Sequence, residues 1–93
     1  MAIRLKNWRI YSLDPNKIAP PWCRMVGDVY GHPRFDDGTH VGTSYVVKIE
    51  NHGDYVEATT LSGSVYHLYK EDEYSEAEED SIGARWRRNI QWN

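Results

Sequence analysis

Residues 35–69, FDDGTHVGTSYVVKIENHGDYVEATTLSGSVYHLY, alternate apolar and polar side chains between closely spaced turn signals. Successive side chains of a strand point to opposite faces, so a period of two buries one face only as β-structure. Val41, Thr43, Tyr45, Val47 and Ile49 share one such face; Val56, Ala58 and Thr60 share another. Asp36-Asp37-Gly38, Asn51-His52-Gly53-Asp54 and Ser62-Gly63 break the runs with residues that accept turn conformations. The expectation is three strands, at residues 41–49, 55–60 and 65–69, joined as an antiparallel meander.

Upstream, residues 4–13 form a first expected strand, rich in aromatic and branched side chains but imperfect in alternation. Asp14-Pro15-Asn16 and Ala19-Pro20-Pro21 make residues 14–21 a loop, because proline has no N–H to give a ladder. Residues 22–30 follow as a strand, with Gly27 implying a bulge or sharp bend. A chain of 93 residues makes one domain, 1–93. At that size only about 60–65% of the unfolded surface is buried, so an isolated meander must curl into a small barrel or pack a helix over its apolar face. The fold class expected is mainly β: a small antiparallel meander of five strands closing as an SH3-like barrel, with a short helix near residues 75–82.

The C-terminal quarter supports two local readings. Ser75 followed by Glu78 matches a capping box, and Ile82, Trp86 and Ile90 recur at four-residue spacing, as in a helix over residues 76–88. Gly83 opposes it by about 1 kcal/mol relative to alanine, and Glu76 with Glu79 and Asp80 places like charges one turn apart. At period two, Trp86, Ile90 and Trp92 share a face against Arg85, Arg87, Asn89 and Gln91, as in a closing strand. A short helix or turn near residues 75–81 followed by a strand accommodates both patterns.

Charge is segregated along the chain. The net charge is −3, yet seven of the fourteen acidic residues lie in residues 71–80, EDEYSEAEED, and residues 81–93 carry Arg85, Arg87 and Arg88 with no acid. No apolar run approaches the ~18 residues that cross a bilayer, and MAIRLKNWRIYSL lacks the continuous apolar core of a signal peptide. Cys23 is the single cysteine, which excludes an intramolecular disulfide. Together these features predict a cytoplasmic setting without membrane association.

Motifs that carry chemistry are few. His32, His40, His52 and His67 are potential metal ligands, and residues 31–40 pack two His with Asp36 and Asp37, but no pair has a recognised ligand spacing. Three of the four histidines sit at turns, where exposed polar residues are expected, so no metal and no cofactor are predicted. Cys23 follows Pro21-Trp22 and lacks the helix start that would activate a thiol. Ser44, Ser62 and Ser64 lie on strands or in a turn, and nothing resembles a nucleophile elbow or a phosphate-binding glycine loop. The chain reads as a non-enzyme.

Two segments suggest partners instead. Asp72, Glu73, Glu76, Glu78, Glu79 and Asp80 could imitate the phosphate spacing of a nucleic acid and occupy a basic groove on another protein, with Tyr74 as an anchor. The competing reading is an exposed loop kept polar. Arg85, Trp86, Arg87, Arg88 and Trp92 propose the opposite partner, a nucleic acid held on an Arg–aromatic platform. Its competitor places Trp8, Trp86 and Trp92 in the core. The number of aromatics, four Trp and seven Tyr, also makes a homodimer through an uncovered strand edge a third possibility.

Asp37-Gly38, then Thr43-Ser44-Tyr45-Val46-Val47, then Thr60-Leu61-Ser62-Gly63-Ser64-Val65-Tyr66-His67-Leu68 follow the pattern DG…TSxVV…TxSGSxYxL. Over about a third of the chain this resembles short β-domain proteins of phages and prophages. The resemblance implies a small β-domain on a mobile element and carries over no catalytic residue. Small, acidic, motif-poor phage proteins include anti-CRISPR and other anti-defence proteins. The expectation drawn from it is a binder that inhibits a host protein or ribonucleoprotein complex such as a CRISPR effector.

Overall fold

The computed structural model describes residues 2–12, 14, 16–18, 20–74 and 82–92. Six strands, β1 (Ile3–Tyr11), β2 (Arg24–Tyr30), β3 (Thr39–Gly42), β4 (Val46–Asn51), β5 (Tyr55–Thr60) and β6 (Val65–Tyr69), precede a 3-10 turn at Lys70–Asp72 and a helix, α1 (Ile82–Asn89). One sheet holds all six in the order β3-β2-β1-β6-β5-β4. The domain is mainly β, as the sequence predicts, but three finer expectations change.

The meander is not wholly antiparallel. β1 pairs antiparallel with β2 and parallel with β6, through Ile3↔Tyr66 and Arg4↔His67. Two hairpin reversals after β4 return the chain in the direction of β1, so the junction of the N-terminal and C-terminal halves is a parallel pair. The strands number six because the stretch expected as one strand, residues 41–49, is bent into two. At the bend the Thr43 amide donates to Met25 O (2.8 Å), Val46 N to Cys23 O (2.8 Å) and Leu61 N to Tyr45 O (2.8 Å). Thr43 Oγ1 also accepts from Met25 N (3.1 Å). These bonds hold the corner against β2 on one side and the β5–β6 turn on the other. Among the described residues no ladder joins β3 to β4, so the curled sheet stays open there.

The corner also changes which side chains are buried. Unbroken alternation would have put Tyr45 and Val47 with Val41 and Thr43; instead Val46 is buried, while Tyr45 and Val47 face solvent. A register shift between Val46 and Lys48 restores the phase before Ile49. The imperfect alternation of β1 has a similar cause. Its pairing with β2 slips between Lys6 and Arg9, leaving Asn7 and Trp8 opposite Gly27. Asn7 takes φ 51°, and Leu5, Trp8 and Ile10 are all buried despite their uneven spacing. The bulge that Gly27 signalled therefore lies on the facing strand. A Cβ at Gly27 would stand 2.8 Å from both Leu5 Cγ and the Lys6 carbonyl oxygen.

The expected closing strand near the C-terminus is a helix. Trp86 on α1 meets Trp8 edge to face at 5.9 Å, and Trp92 stacks on Trp8 at 5.9 Å with 12° between planes. Only a helix followed by a tight reversal brings side chains six residues apart onto one indole. That reversal is a Schellman turn: Trp92 N donates to Arg87 O (2.9 Å), Gln91 N to Arg88 O (3.1 Å), and Gln91 takes φ 58°. The expected short helix at residues 75–81 lies outside the described residues. Gly83, whose low helix propensity opposes a helix, admits the Glu73 carboxylate to the first turn of α1: a Cβ there would lie 3.1 Å from Glu73 Oε2.

Candidate partner-binding surface

The described part of the acidic segment is tied into the fold. Asp72 Oδ2 accepts from Arg4 Nε at 2.7 Å, and Glu71 lies 3.9 Å from the same guanidinium. Glu73 pairs with Arg87 Nε at 3.2 Å and bridges to Trp8 in the sheet. The Tyr74 amide donates to Trp8 O (2.8 Å), and its ring lies under the Arg9 guanidinium at 4.6 Å. Asp72 and Glu73 thus fasten the sheet to its C-terminal segment, while Tyr74 remains half exposed. Glu76, Glu78, Glu79 and Asp80 lie outside the described residues.

The Arg–Trp tail does not form the expected platform. Trp86 is fully buried and Trp92 nearly so, with Trp92 Nε1 donating to Gly53 O at 2.9 Å. Arg87 is engaged by Glu73, Arg85 is half-buried and Arg88 is exposed. Both aromatics of that constellation therefore belong to the core.

Aromatic and cationic side chains meet elsewhere. On the outer face of the sheet Arg4 lies over Tyr69 (4.3 Å) and Lys6 over Tyr30 (5.0 Å). After the bulge Arg9 lies over Tyr74, and Arg24, paired in register with Tyr11, lies over Tyr45 at 5.4 Å. At the end of this row Lys17 sits 4.7 Å over the Trp22 ring. Ser12, Asp14, Lys17, Pro21, Trp22 and Tyr45 line an open concavity of about 490 Å³. Trp22 is 51% exposed, Tyr45 37%, Tyr11 48%, and Leu61 beside Tyr45 is 70% exposed.

The wall of this groove is built by backbone capture. Ser12 Oγ lies 2.8 Å from the carbonyl oxygens of both Asp14 and Lys17, either of which can accept its one proton, and Asp14 Oδ1 accepts from Asn16 N (3.0 Å). On the other side, Ser44 Oγ bonds Ser62 Oγ (3.2 Å), and Ser62 Oγ lies 3.1 Å from Thr60 Oγ1. The serines near this turn hold the corner that presents Tyr45. Sequence reasoning missed Trp22 and Tyr45. Trp22 directly follows a Pro-Pro step and has no strand neighbour before it, which was a usable signal; the exposure of Tyr45 follows from the corner alone.

The remaining polar candidates separate into two groups. His32 Nδ1 accepts from Arg34 N (2.9 Å) and stacks near Phe35, Asp37 Oδ1 accepts from Gly31 N (2.9 Å), and His40 pairs with Asp28 at 2.9 Å. The expected His/Asp segment is thus consumed by turns and a cross-strand pair. The other two histidines approach carboxylates on the β4–β5–β6 outer face: His52 Nε2 lies 3.6 Å from Glu50 Oε2, and His67 Nε2 lies 3.1 Å from Glu57 Oε2. Cys23 is fully buried; desolvation pushes its thiol up to about 11, opposed by the Trp86 indole and its own backbone.

Comparison with protein-family models, curated proteins and solved structures finds no match. Among the described residues no helix is long and apolar enough to cross a membrane.

Proposed function

We propose that this chain is a non-enzymatic protein-binding module that docks through the groove between Trp22 and Tyr45. The observation that carries this reading is one open concavity lined by the exposed rings of Trp22 and Tyr45, with Lys17 and Arg24 over those rings and the exposed Leu61 bonded through its amide to Tyr45 O. Large aromatics and arginine dominate binding energy at protein interfaces, because they bury much area at small entropic cost. The partner we propose is a host nucleic-acid-handling complex of the CRISPR-effector type, inhibited in the host cytoplasm by a phage- or prophage-derived protein. The sequence resemblance supports that setting. Glu76, Glu78, Glu79 and Asp80 would meet a basic surface of the complex, while the aromatic groove would supply the apolar anchor. A barrel-like closure of the sheet between β3 and β4 belongs to the same proposal, since it would make the corner a rigid platform.

The test is inhibition and co-elution with purified CRISPR effectors. Trp22→Ala and Tyr45→Ala are expected to weaken the complex by about 2 kcal/mol each, the scale of an interface hot spot. Reversing Glu76, Glu79 and Asp80 to lysine should weaken it most at low salt. Glu73 is left intact, because it pairs with Arg87 of α1. Full inhibition by the Trp22→Ala/Tyr45→Ala double variant would overturn the groove, and absence of any complex would overturn the partner.

A second reading has its own support: cations stacked on aromatic rings also hold single-stranded nucleic acid. Its site is Arg9, Tyr11, Lys17, Trp22, Arg24 and Tyr45, replacing the Arg85–Trp92 surface. Salt-dependent quenching of Trp22 fluorescence by single-stranded DNA or RNA would select it over the protein partner.

A further inference from the structure

We propose that the β4–β5 hairpin carries a divalent transition-metal site formed by Glu50, His52 and Glu57, with His67 positioning Glu57. The proposal concerns residues that the aromatic groove does not include and does not depend on it. Glu50 and Glu57 are directly paired across the hairpin, and Glu57 is directly paired with His67 on β6. Three neighbouring strands therefore carry Glu50, Glu57 and His67 in one row. His52, in the turn, folds back over the end of that row. One ligand atom from each of Glu50, His52 and Glu57 lies within 4.8 Å of the others, and Glu50 Oε2 to His52 Nε2 is 3.6 Å. Ligands about 2.0–2.1 Å from a tetrahedral Zn²⁺ stand roughly 3.3–3.4 Å apart, so small rotamer adjustments suffice. Imidazole nitrogen and carboxylate oxygen are both donors that Zn²⁺ accepts, and three of them leave a fourth position to water.

Two features show that these side chains are held in place. Lys48 Nζ takes Glu50 Oε1 at 2.8 Å, and His67 Nε2 takes Glu57 Oε2 at 3.1 Å. Each carboxylate is thus oriented through one oxygen while the other is available. Tyr55 stacks on His52 with centroids 4.8 Å apart and meets His67 at a tilt, 4.6 Å away. The turn itself is fixed from below: Asn51 Oδ1 accepts from Gly53 N (2.9 Å), His52 N donates to Tyr55 O (2.9 Å), and Trp92 Nε1 binds Gly53 O (2.9 Å).

The experiment is calorimetric titration of tag-free protein with ZnCl₂, alongside His52→Ala, Glu57→Gln, His67→Ala and the control His40→Ala. The expected result is one Zn²⁺ per chain at micromolar affinity, with proton release and with amide NMR shifts centred on residues 50–57. His52→Ala and Glu57→Gln should abolish saturable binding. His67→Ala should weaken it about 10–100-fold, the usual effect of removing a partner that orients a ligand. His40→Ala should bind as the parent does. Ca²⁺, which prefers oxygen donors, should not compete. Circular dichroism of each variant reports folding, and these exposed or half-exposed side chains should leave it unchanged. Absence of saturable binding in the folded parent, or binding that survives His52→Ala, would overturn the site.

Discussion

Cys23 shows how a single side chain ties burial to pH. Its thiol is enclosed beneath the sheet corner, and desolvation raises it from 9.0 to about 11. In the unfolded chain the thiol ionises at its ordinary value, so between these two values the unfolded state releases a proton that the folded state retains. The stabilising contribution is full below about pH 9 and is lost as pH rises toward 11, on the order of 2–3 kcal/mol in all. Urea unfolding at about pH 8 and about pH 10.5 measures it. The parent should lose this increment and Cys23→Ala should not, once the decline common to both, which includes the buried Tyr66, is subtracted. At the same scale, Gly27 was legible as a special position but not as the partner of a bulge. The close approach of Leu5 and Lys6 to its Cα exists only after β1 and β2 pair.

Among the elements, α1 is the one whose identity the chain leaves open. Its residues satisfy both a helical and a strand period, and isolated helices of this length are unstable in water. Tertiary packing decides, because the helical form places Trp86 against Trp8 and the Schellman turn then returns Trp92 to stack on the same ring. That turn holds Gln91 at φ 58°, where an L-residue is strained by about 1–2 kcal/mol. Gln91→Gly should therefore raise stability by about 0.5–1 kcal/mol after the added entropy of the unfolded glycine is set against the gain. A denaturant midpoint that falls would show that the Gln91 side chain contributes more than its backbone costs. The hairpins were more legible, since Gly38, Gly53 and Gly63 all take positive φ where turn residues were expected. The metal-site candidate was legible in part. Glu50 and His52 share a strand-face spacing, but bringing Glu57 opposite Glu50 required the register of the closed hairpin.

At the scale of the whole molecule, four indoles are divided between two tasks. Trp8, Trp86 and Trp92 close the core, whereas Trp22 lies at the groove. Acrylamide should accordingly quench one component of the native emission, and Trp22→Phe should remove that component while leaving the unfolding free energy within about 0.5 kcal/mol of the parent's. Quenching that persists in Trp22→Phe would mean that a core indole is accessible and that the groove is not the exposed aromatic site. The alternation of residues 35–69, their turn residues and the charge segregation of residues 71–93 are sufficient to predict a small β-rich domain with polar C-terminal segments. Those features are local: strand period, turn conformation and charge are set within a few residues of chain. The parallel β1–β6 pair, the corner that exposes Tyr45, the choice of helix for residues 82–89 and the row of Glu50, Glu57 and His67 are decided by tertiary structure. Each depends on contacts between residues far apart in sequence, whose energies appear only when the sheet has formed and the tryptophans have been enclosed.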